Sequence, residues 1–243
     1  SYSTRTMTTT ELQTQTNAII SKIFSPFYDM LAYFRSKVYD TLILHMTTKW
    51  YEVVLSQLPE NSTLLDVGVG TAGALINCSA IVKNRGLKIV GVDYDKDYVI
   101  QAQVALEKAG LKDSVQVFHK SVYDLDKDKD GVFDAVYFSG SFTLLPDPVD
   151  ALRVVKPLTK SKIYVTQTYQ RKSPPLLGYI KPFLKYLTTI DFGQLTYEAD
   201  IAEFFSEKVP KECSLKLESH EVIKGSLDTS LQAAYLTILD ASS

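Results

Sequence analysis

The chain has 243 residues, a net charge of −2, 45 % apolar residues, 15 Tyr and 11 Phe. That supports a single domain over 1–243 with a sizeable core, and the lack of a basic block argues against general nucleic-acid or anionic-membrane partners. No apolar run approaches the ~20 residues of a membrane-spanning helix, and Cys78 and Cys213 form neither a disulfide framework nor a metal pattern, so a reducing, cytoplasmic setting is expected.

Residues 1–10 are rich in Ser and Thr, with Arg5 and no acid before Glu11. This fits a frayed start with Met7 as an initiator, or the end of a transit peptide. From Ile19 to Leu42 apolar residues recur in steps of three and four, predicting amphipathic helices over about 11–24 and 27–44, interrupted at Pro26. A third is expected from about Thr48 to Leu58. The stretch 11–58 reads as an N-terminal helical cover, whose aromatics (Phe24, Phe27, Tyr28, Phe34) suit core packing first and the roof of a site second.

Thr63–Gly73, TLLDVGVGTAG, reads as strand, tight turn and helix start. Glycines let the backbone turn sharply and approach a ligand closely. A helix to about Asn84 follows, then strands at Leu87–Val92, Val115–His119, Phe133–Phe138 and Lys162–Thr168. Helices are expected at Lys96–Lys108, capped by Asp95, and at Asp147–Val155. Such alternation gives right-handed crossovers and a mostly parallel sheet. Residues 171–210 read as an insert, with an apolar helix-like stretch over 176–187 and a helix near Tyr197–Lys208 capped by Thr196. Alternating residues from Leu215 to Ile223, a polar turn at 225–229 and Leu231–Leu239 predict a closing antiparallel hairpin. The fold class is therefore α/β, with seven strands.

Gly68, Gly70 and Gly73 also spell the dinucleotide fingerprint, with Asp93 about 20 residues further on. Any adenosine ligand could use that acid. Asp66 discriminates, because a carboxylate beside the turn repels a pyrophosphate and attracts an ammonium group. Asp126-Lys-Asp128-Lys-Asp130-Gly131 imitates half of a calcium loop, but the twelfth position is Tyr137, so a solvated turn is expected. His45, His119 and His220 are scattered. His45 and His119 end elements and are weak acid–base candidates. No Cys/His metal spacing exists, and no metal is expected.

From Thr48 to Leu239 the chain resembles the class I S-adenosylmethionine-dependent methyltransferases. Asp66-Val-Gly68-Val-Gly70-Thr71 is similar to their first motif, with Ala72 where a third glycine is frequent. Phe133-Asp134-Ala135-Val136 resembles their F-D-x-V strand. The resemblance implies a Rossmann-like, doubly wound sheet, mostly parallel with a C-terminal antiparallel hairpin. S-adenosylmethionine is the implied cofactor and S-adenosylhomocysteine the product. By resemblance Asp66, Gly68, Gly70 and Thr71 hold the methionine part, Asp93 the ribose, and Tyr94 lies on the adenine. Ser121 and Val122 stand where the family often has an Asp and a small residue. Ser139 and Ser141 would pass near the methyl group, and the family's Pro-Gly-Gly is replaced around Lys156-Pro157-Leu158-Thr159. Tyr28, Ser139, Ser141 and Tyr169 are the candidates lining the acceptor side, and Tyr28-Asp29 resembles a pair found in small-molecule methyltransferases. The expected partner is a small or lipid-like, partly apolar acceptor, the expected state a monomer or homodimer. Alternatives are an NAD(P)-dependent reductase, an aminopropyl-transferring relative, and a non-catalytic cofactor-binding member of the fold.

Overall fold

The computed structural model describes residues 43–172 and 197–242. The chain divides into two compact units, Ser1–Ile43 and Leu44–Ser243, and the second contains the whole sheet. The expected helices over 11–24 and 27–42, Tyr28, the stretch 176–187 and the Thr196 cap lie outside the described residues.

The first described element is a helix, α1, over 43–57. It does not restart at Thr48 as expected, because both threonines stay in it: the Thr47 and Thr48 hydroxyls donate back to the Leu44 carbonyl at 3.2 and 2.6 Å. Then come β1 (Thr63–Val67), α2 (Gly73–Asn77), α3 (Ser79–Asn84), β2 (Lys88–Asp93), α4 (Lys96–Lys108) and β3 (Val115–His119). The single helix expected after the glycine turn is thus two short ones, broken at Cys78. After β3 only a turn and the four-residue α5 (Lys127–Asp130) precede β4 (Phe133–Ser139). Next are α6 (Pro148–Val155), β5 (Thr159–Gln170), α7 (Glu198–Glu203), a wide π turn (Phe204–Lys208) and α8 (Val209–Cys213). The helix expected to end at Lys208 runs on because a widened turn suits Pro210, which has no amide to donate and crowds the preceding turn. Strands β6 (Lys216–Val222) and β7 (Gln232–Asp240) close the chain's fold.

The seven strands form one sheet in the order β3-β2-β1-β4-β5-β7-β6. Pairs among β1 to β5 are parallel, and β7 runs antiparallel to both β5 and β6. The doubly wound, mostly parallel arrangement with a terminal antiparallel hairpin is as expected, with β7 inserted between β5 and β6. Apolar residues of α1 to α4 (Trp50, Leu55, Leu75, Val82, Ala102, Leu106) pack on one face. Those of α6, the π turn and α8 (Val149, Leu152, Phe205, Val209) pack on the other. Trp50 Nε1 donates to Ser226 Oγ at 2.9 Å, tying α1 to the β6–β7 connection.

The strands' lower ends are stapled by charge. Asp134 Oδ2 accepts from the Thr63 amide at 2.7 Å and the Thr63 hydroxyl at 2.8 Å, and its Oδ1 accepts from Lys160 at 3.0 Å. Asp134 therefore aligns the starts of β1, β4 and β5. The charged 126–131 stretch is a solvent-exposed turn, as expected, wound as one capped helical turn: Asp126 caps the Asp128 amide, and Asp130 pairs with Lys120 at 2.6 Å. Among the described residues no helix is long and apolar enough to cross a membrane.

Candidate functional site

The site forms where β1, β2 and β4 end side by side. Asp66 and Val67 of β1 pair with Gly91 and Val92 of β2 and with Tyr137 and Phe138 of β4. Past Val67 the chain curls over β2, with the Gly68 and Val69 amides both donating to the Val92 carbonyl, at 2.8 and 3.3 Å. Gly68 has φ +77°, and a Cβ there would stand 2.4 Å from Ser141 Cβ. Only glycine fits, on conformation and on space. Ser141 is held in that place by donating to the Val67 carbonyl at 2.6 Å, which latches the loop after β4 onto the loop after β1.

Gly70, with φ +58°, donates its amide to Asp93 Oδ2 at 2.9 Å, and the space where its Cβ would be is open. The other oxygen of Asp93 accepts from the Asp95 amide at 2.9 Å. Asp95 in turn caps α4 through the amides of Asp97 and Tyr98. Asp93 thus organises both loops and still has lone pairs for a ligand's hydroxyls. Thr71 is exposed beside it, and Tyr94 projects with 81 % of its surface free.

Asp66 is fully buried. Its Oδ2 accepts from the Tyr51 hydroxyl at 2.7 Å, while Oδ1 has no partner among the described residues. Burial pushes its pKa up to about 7; the Tyr51 bond works the other way, and the nearby Asp93 charge adds to the rise. Tyr51 comes from α1 and lies edge-on to Tyr137, with ring centroids 5.1 Å apart. Tyr137 shares a 2.8 Å hydrogen bond with Thr166 Oγ1. Ser139 Oγ is buried close enough to influence both phenols, yet meets the geometry of a hydrogen bond to neither. A carboxylate oxygen and a serine hydroxyl therefore stay unpartnered at the glycine loop, the kind of deficit a bound polar group makes good.

The remaining candidates fall in different surroundings. Ser121 Oγ accepts from the Tyr123 amide at 3.3 Å and caps the turn after β3, while the Val122 side chain is buried in the core. Tyr169 is inside β5 and not after it, because the strand is longer at both ends than its apolar run. It is fully buried among Tyr235 and His220, with its hydroxyl unpartnered, and so does not line an open cleft. His119 Nε2 donates to the Tyr94 carbonyl at 2.9 Å, and His220 Nδ1 meets Thr237 Oγ1 at 2.8 Å, its ring stacked on Tyr235. Both imidazoles have structural bonds, and His45 is exposed on α1. The residue that sequence reasoning missed is Tyr51. A tyrosine on a helix face signals only packing, and the carboxylate it meets is 15 positions away.

A cavity of about 540 Å³ lies elsewhere, lined by Leu65, Val90, Phe118, Lys120, Asp130 and Phe133. It is the stretch of sheet that the short α5 leaves uncovered. Neither the glycine loop nor Asp93 borders it, so it is separate from the loop chemistry.

Residues 64–162 match the family model of a methyltransferase domain. No curated protein matches the chain by sequence. Among solved structures, the fold is similar to that of a putative sarcosine dimethylglycine methyltransferase from Galdieria sulphuraria, with a TM-score of 0.59 and 14% identity, covering 81% of this chain and 85% of that one. A SAM dependent methyltransferase from Aquifex aeolicus gives 0.53 and 19%, covering 77% and 88%. A geranyl diphosphate C-methyltransferase from Streptomyces coelicolor, solved with S-adenosyl-L-homocysteine, gives 0.58 and 12%, covering 80% and 78%. At these identities the likeness is one of fold.

Proposed function

We propose that this chain, whose residues 64–162 match the family model of a methyltransferase domain, uses S-adenosylmethionine to methylate a small, partly apolar acceptor. The observation that carries the reading is the pair of carboxylates at the strand ends. Asp66, buried with one oxygen unpartnered, feels the charge of Asp93 beside a glycine loop. A pyrophosphate placed there would meet two carboxyl groups, that of Asp66 partly ionised near neutral pH, whereas an ammonium-bearing adenosine ligand meets an acceptor for its amine and another for its ribose. This disfavours the NAD(P)-dependent alternative.

The residues present fit that cofactor. Gly68 and Gly70 let the backbone come close, and Asp93 retains acceptor capacity after holding two amides. S-adenosylmethionine supplies an activated methyl group whose departure leaves a neutral thioether. The chain's task is then mainly to position the acceptor and exclude water. A general base is needed only for an acceptor that arrives protonated, and the hydrogen bonds of His119 and His220 leave neither imidazole free on both nitrogens. A small acceptor is supported by the names of two structural relatives, a sarcosine dimethylglycine and a geranyl diphosphate methyltransferase. The net charge of −2 argues against nucleic acid. Cys78 and Cys213, both free and buried, suit a reducing cytoplasm.

Isothermal titration with S-adenosylhomocysteine and with NAD tests the reading. Binding of the first and not the second is expected; tight binding of NAD alone would overturn it. Incubation with methyl-labelled cofactor and a metabolite extract then yields a labelled product, whereas cofactor binding without any labelled product points to the non-catalytic alternative.

A further inference from the structure

Tyr51 is not part of the glycine loop, yet among the described residues it is the only side chain that hydrogen-bonds Asp66. The bond is buried and short, at 2.7 Å. Burial, followed by the negative charge of Asp66, pushes the Tyr51 phenol well above its usual range, so it is a permanent donor. Its ring is fixed edge-on against Tyr137, whose own hydroxyl is engaged with Thr166. Oδ2 of Asp66 is therefore committed to Tyr51, and Oδ1 is left without a partner. A buried carboxylate held by one hydrogen bond and otherwise unpaired is an expensive arrangement for packing alone. An apolar pair at 51 and 66 would fill the same space without that cost.

We propose that Tyr51 is a positioning residue of the cofactor site: by occupying one oxygen of Asp66 it fixes the carboxylate and reserves the other for a cationic amine. The inference rests on the S-adenosylmethionine reading and names the group within that ligand which the Tyr51–Asp66 pair serves. It makes amine binding dependent on the charge of Asp66. The ionisable groups facing that carboxylate are Tyr51 from α1, Tyr137 from β4 and Asp93 from the end of β2, with Cys78, between α2 and α3, near Tyr137. Among the described residues none of the groups facing it is a cation. Asp66 titrates at about pH 7, so affinity for an amine-bearing ligand rises with pH as the carboxyl ionises. Removing the Tyr51 hydroxyl takes a hydrogen bond from the charged form, raises the carboxyl's pKa further and moves that rise to higher pH.

The experiment compares wild type and Tyr51→Phe by titration calorimetry between pH 6 and 8. Two ligands are used: S-adenosylhomocysteine, which carries the amine, and methylthioadenosine, which shares the nucleoside and lacks the amino-acid end. At pH 7 the variant is expected to bind S-adenosylhomocysteine about tenfold more weakly, the worth of one hydrogen bond to a charged group. Its methylthioadenosine affinity should stay within about twofold, as no bond to the nucleoside changes. Equal weakening of both ligands would show that Tyr51 merely supports the loop and would overturn the proposal. So would an S-adenosylhomocysteine pH profile identical to wild type. If Tyr51→Phe does not fold, Asp66→Asn replaces it: the pH dependence for S-adenosylhomocysteine should vanish while methylthioadenosine binding persists. Wild type that binds neither ligand would remove the cofactor reading itself, and wild type that binds both with no pH dependence would sink the Tyr51–Asp66 proposal alone.

Discussion

Gly68→Ala probes the latch between the two loops. A Cβ at this position meets two separate obstacles. The backbone has φ +77°, where an L side chain costs about 1–2 kcal/mol. The new methyl would also stand 2.4 Å from Ser141 Cβ and 2.9 Å from Ser141 Oγ, an overpacking worth about 1–3 kcal/mol. The expected loss is therefore about 2–5 kcal/mol, readable as a fall in the urea midpoint at unchanged slope. The two parts separate in a double-mutant cycle. Ser141→Gly removes both clashing atoms, so Gly68→Ala introduced into that background should cost only the conformational part, giving a coupling of about 1–3 kcal/mol. Ser141→Ala is the control. It deletes the hydrogen bond to Val67 but keeps the Cβ, and so should relieve little of the Gly68→Ala penalty. A coupling below about 0.5 kcal/mol with Ser141→Gly would refute the steric reasoning and leave φ alone as the cause.

Asp66→Asn should make the ligand-free protein more stable at pH 8 than wild type. The folded carboxyl titrates at about 7, above its unfolded value, so the stability it contributes is complete below the unfolded pKa and lost as pH rises through 7. A non-ionising side chain avoids that loss, worth up to about 4 kcal/mol at pH 8. Melting temperature against pH checks this, and a variant no more stable than wild type at pH 8 would contradict it. Asp134→Ala should behave oppositely. The Thr63 amide and then, against the opposing effect of burial, Lys160 hold the Asp134 carboxyl below its usual range. Its stabilisation is present above the unfolded pKa and lost as pH falls through the folded value. A cost of about 1–2 kcal/mol at pH 7 that disappears in acid is expected from urea unfolding; a cost independent of pH would assign the effect to packing.

Strands β1, β2 and β4 were legible because they are largely buried on both faces and so read as apolar runs flanked by turn residues: Leu64 to Val67, Ile89 to Val92, Phe133 to Phe138; β3, an outer strand, showed through the alternation of buried Val115 and Val117 with exposed Gln116 and Phe118. The hairpin showed through alternation. What stayed hidden depends on partners distant in sequence. Strand β5 starts three residues before its expected edge at Lys162, where Lys160, polar in the sequence, is paired with Asp134. The break at Cys78 and the widened turn that carries the helical segment past Pro210 leave no mark in the spacing of apolar residues. At the site, Asp66, Gly68, Gly70 and Asp93 were legible because they act through backbone geometry or at strand ends. Ser141 was readable as a loop residue but not as a latch, since its contact belongs to Gly68, 73 positions earlier by number (141 − 68). Asp134 was visible only as part of a motif; its work of aligning three strands appears once β1, β4 and β5 stand side by side.

The insertion of β7 between β5 and β6 also bears on how the sheet is assembled during synthesis. When residues 159–170 leave the ribosome, β4 can cover one edge of β5, while the other edge must wait for residues 232–240, some sixty positions later (232 − 170 = 62). Strand β6 emerges in the interval and has no native neighbour on the sheet until β7 arrives. For that period the nascent chain carries a long unpaired strand edge, the feature from which intermolecular pairing begins. The polar residues of β5, among them Lys160, Lys162 and Gln170, are then more than surface decoration: they break up an otherwise adhesive edge until its own partner has been made.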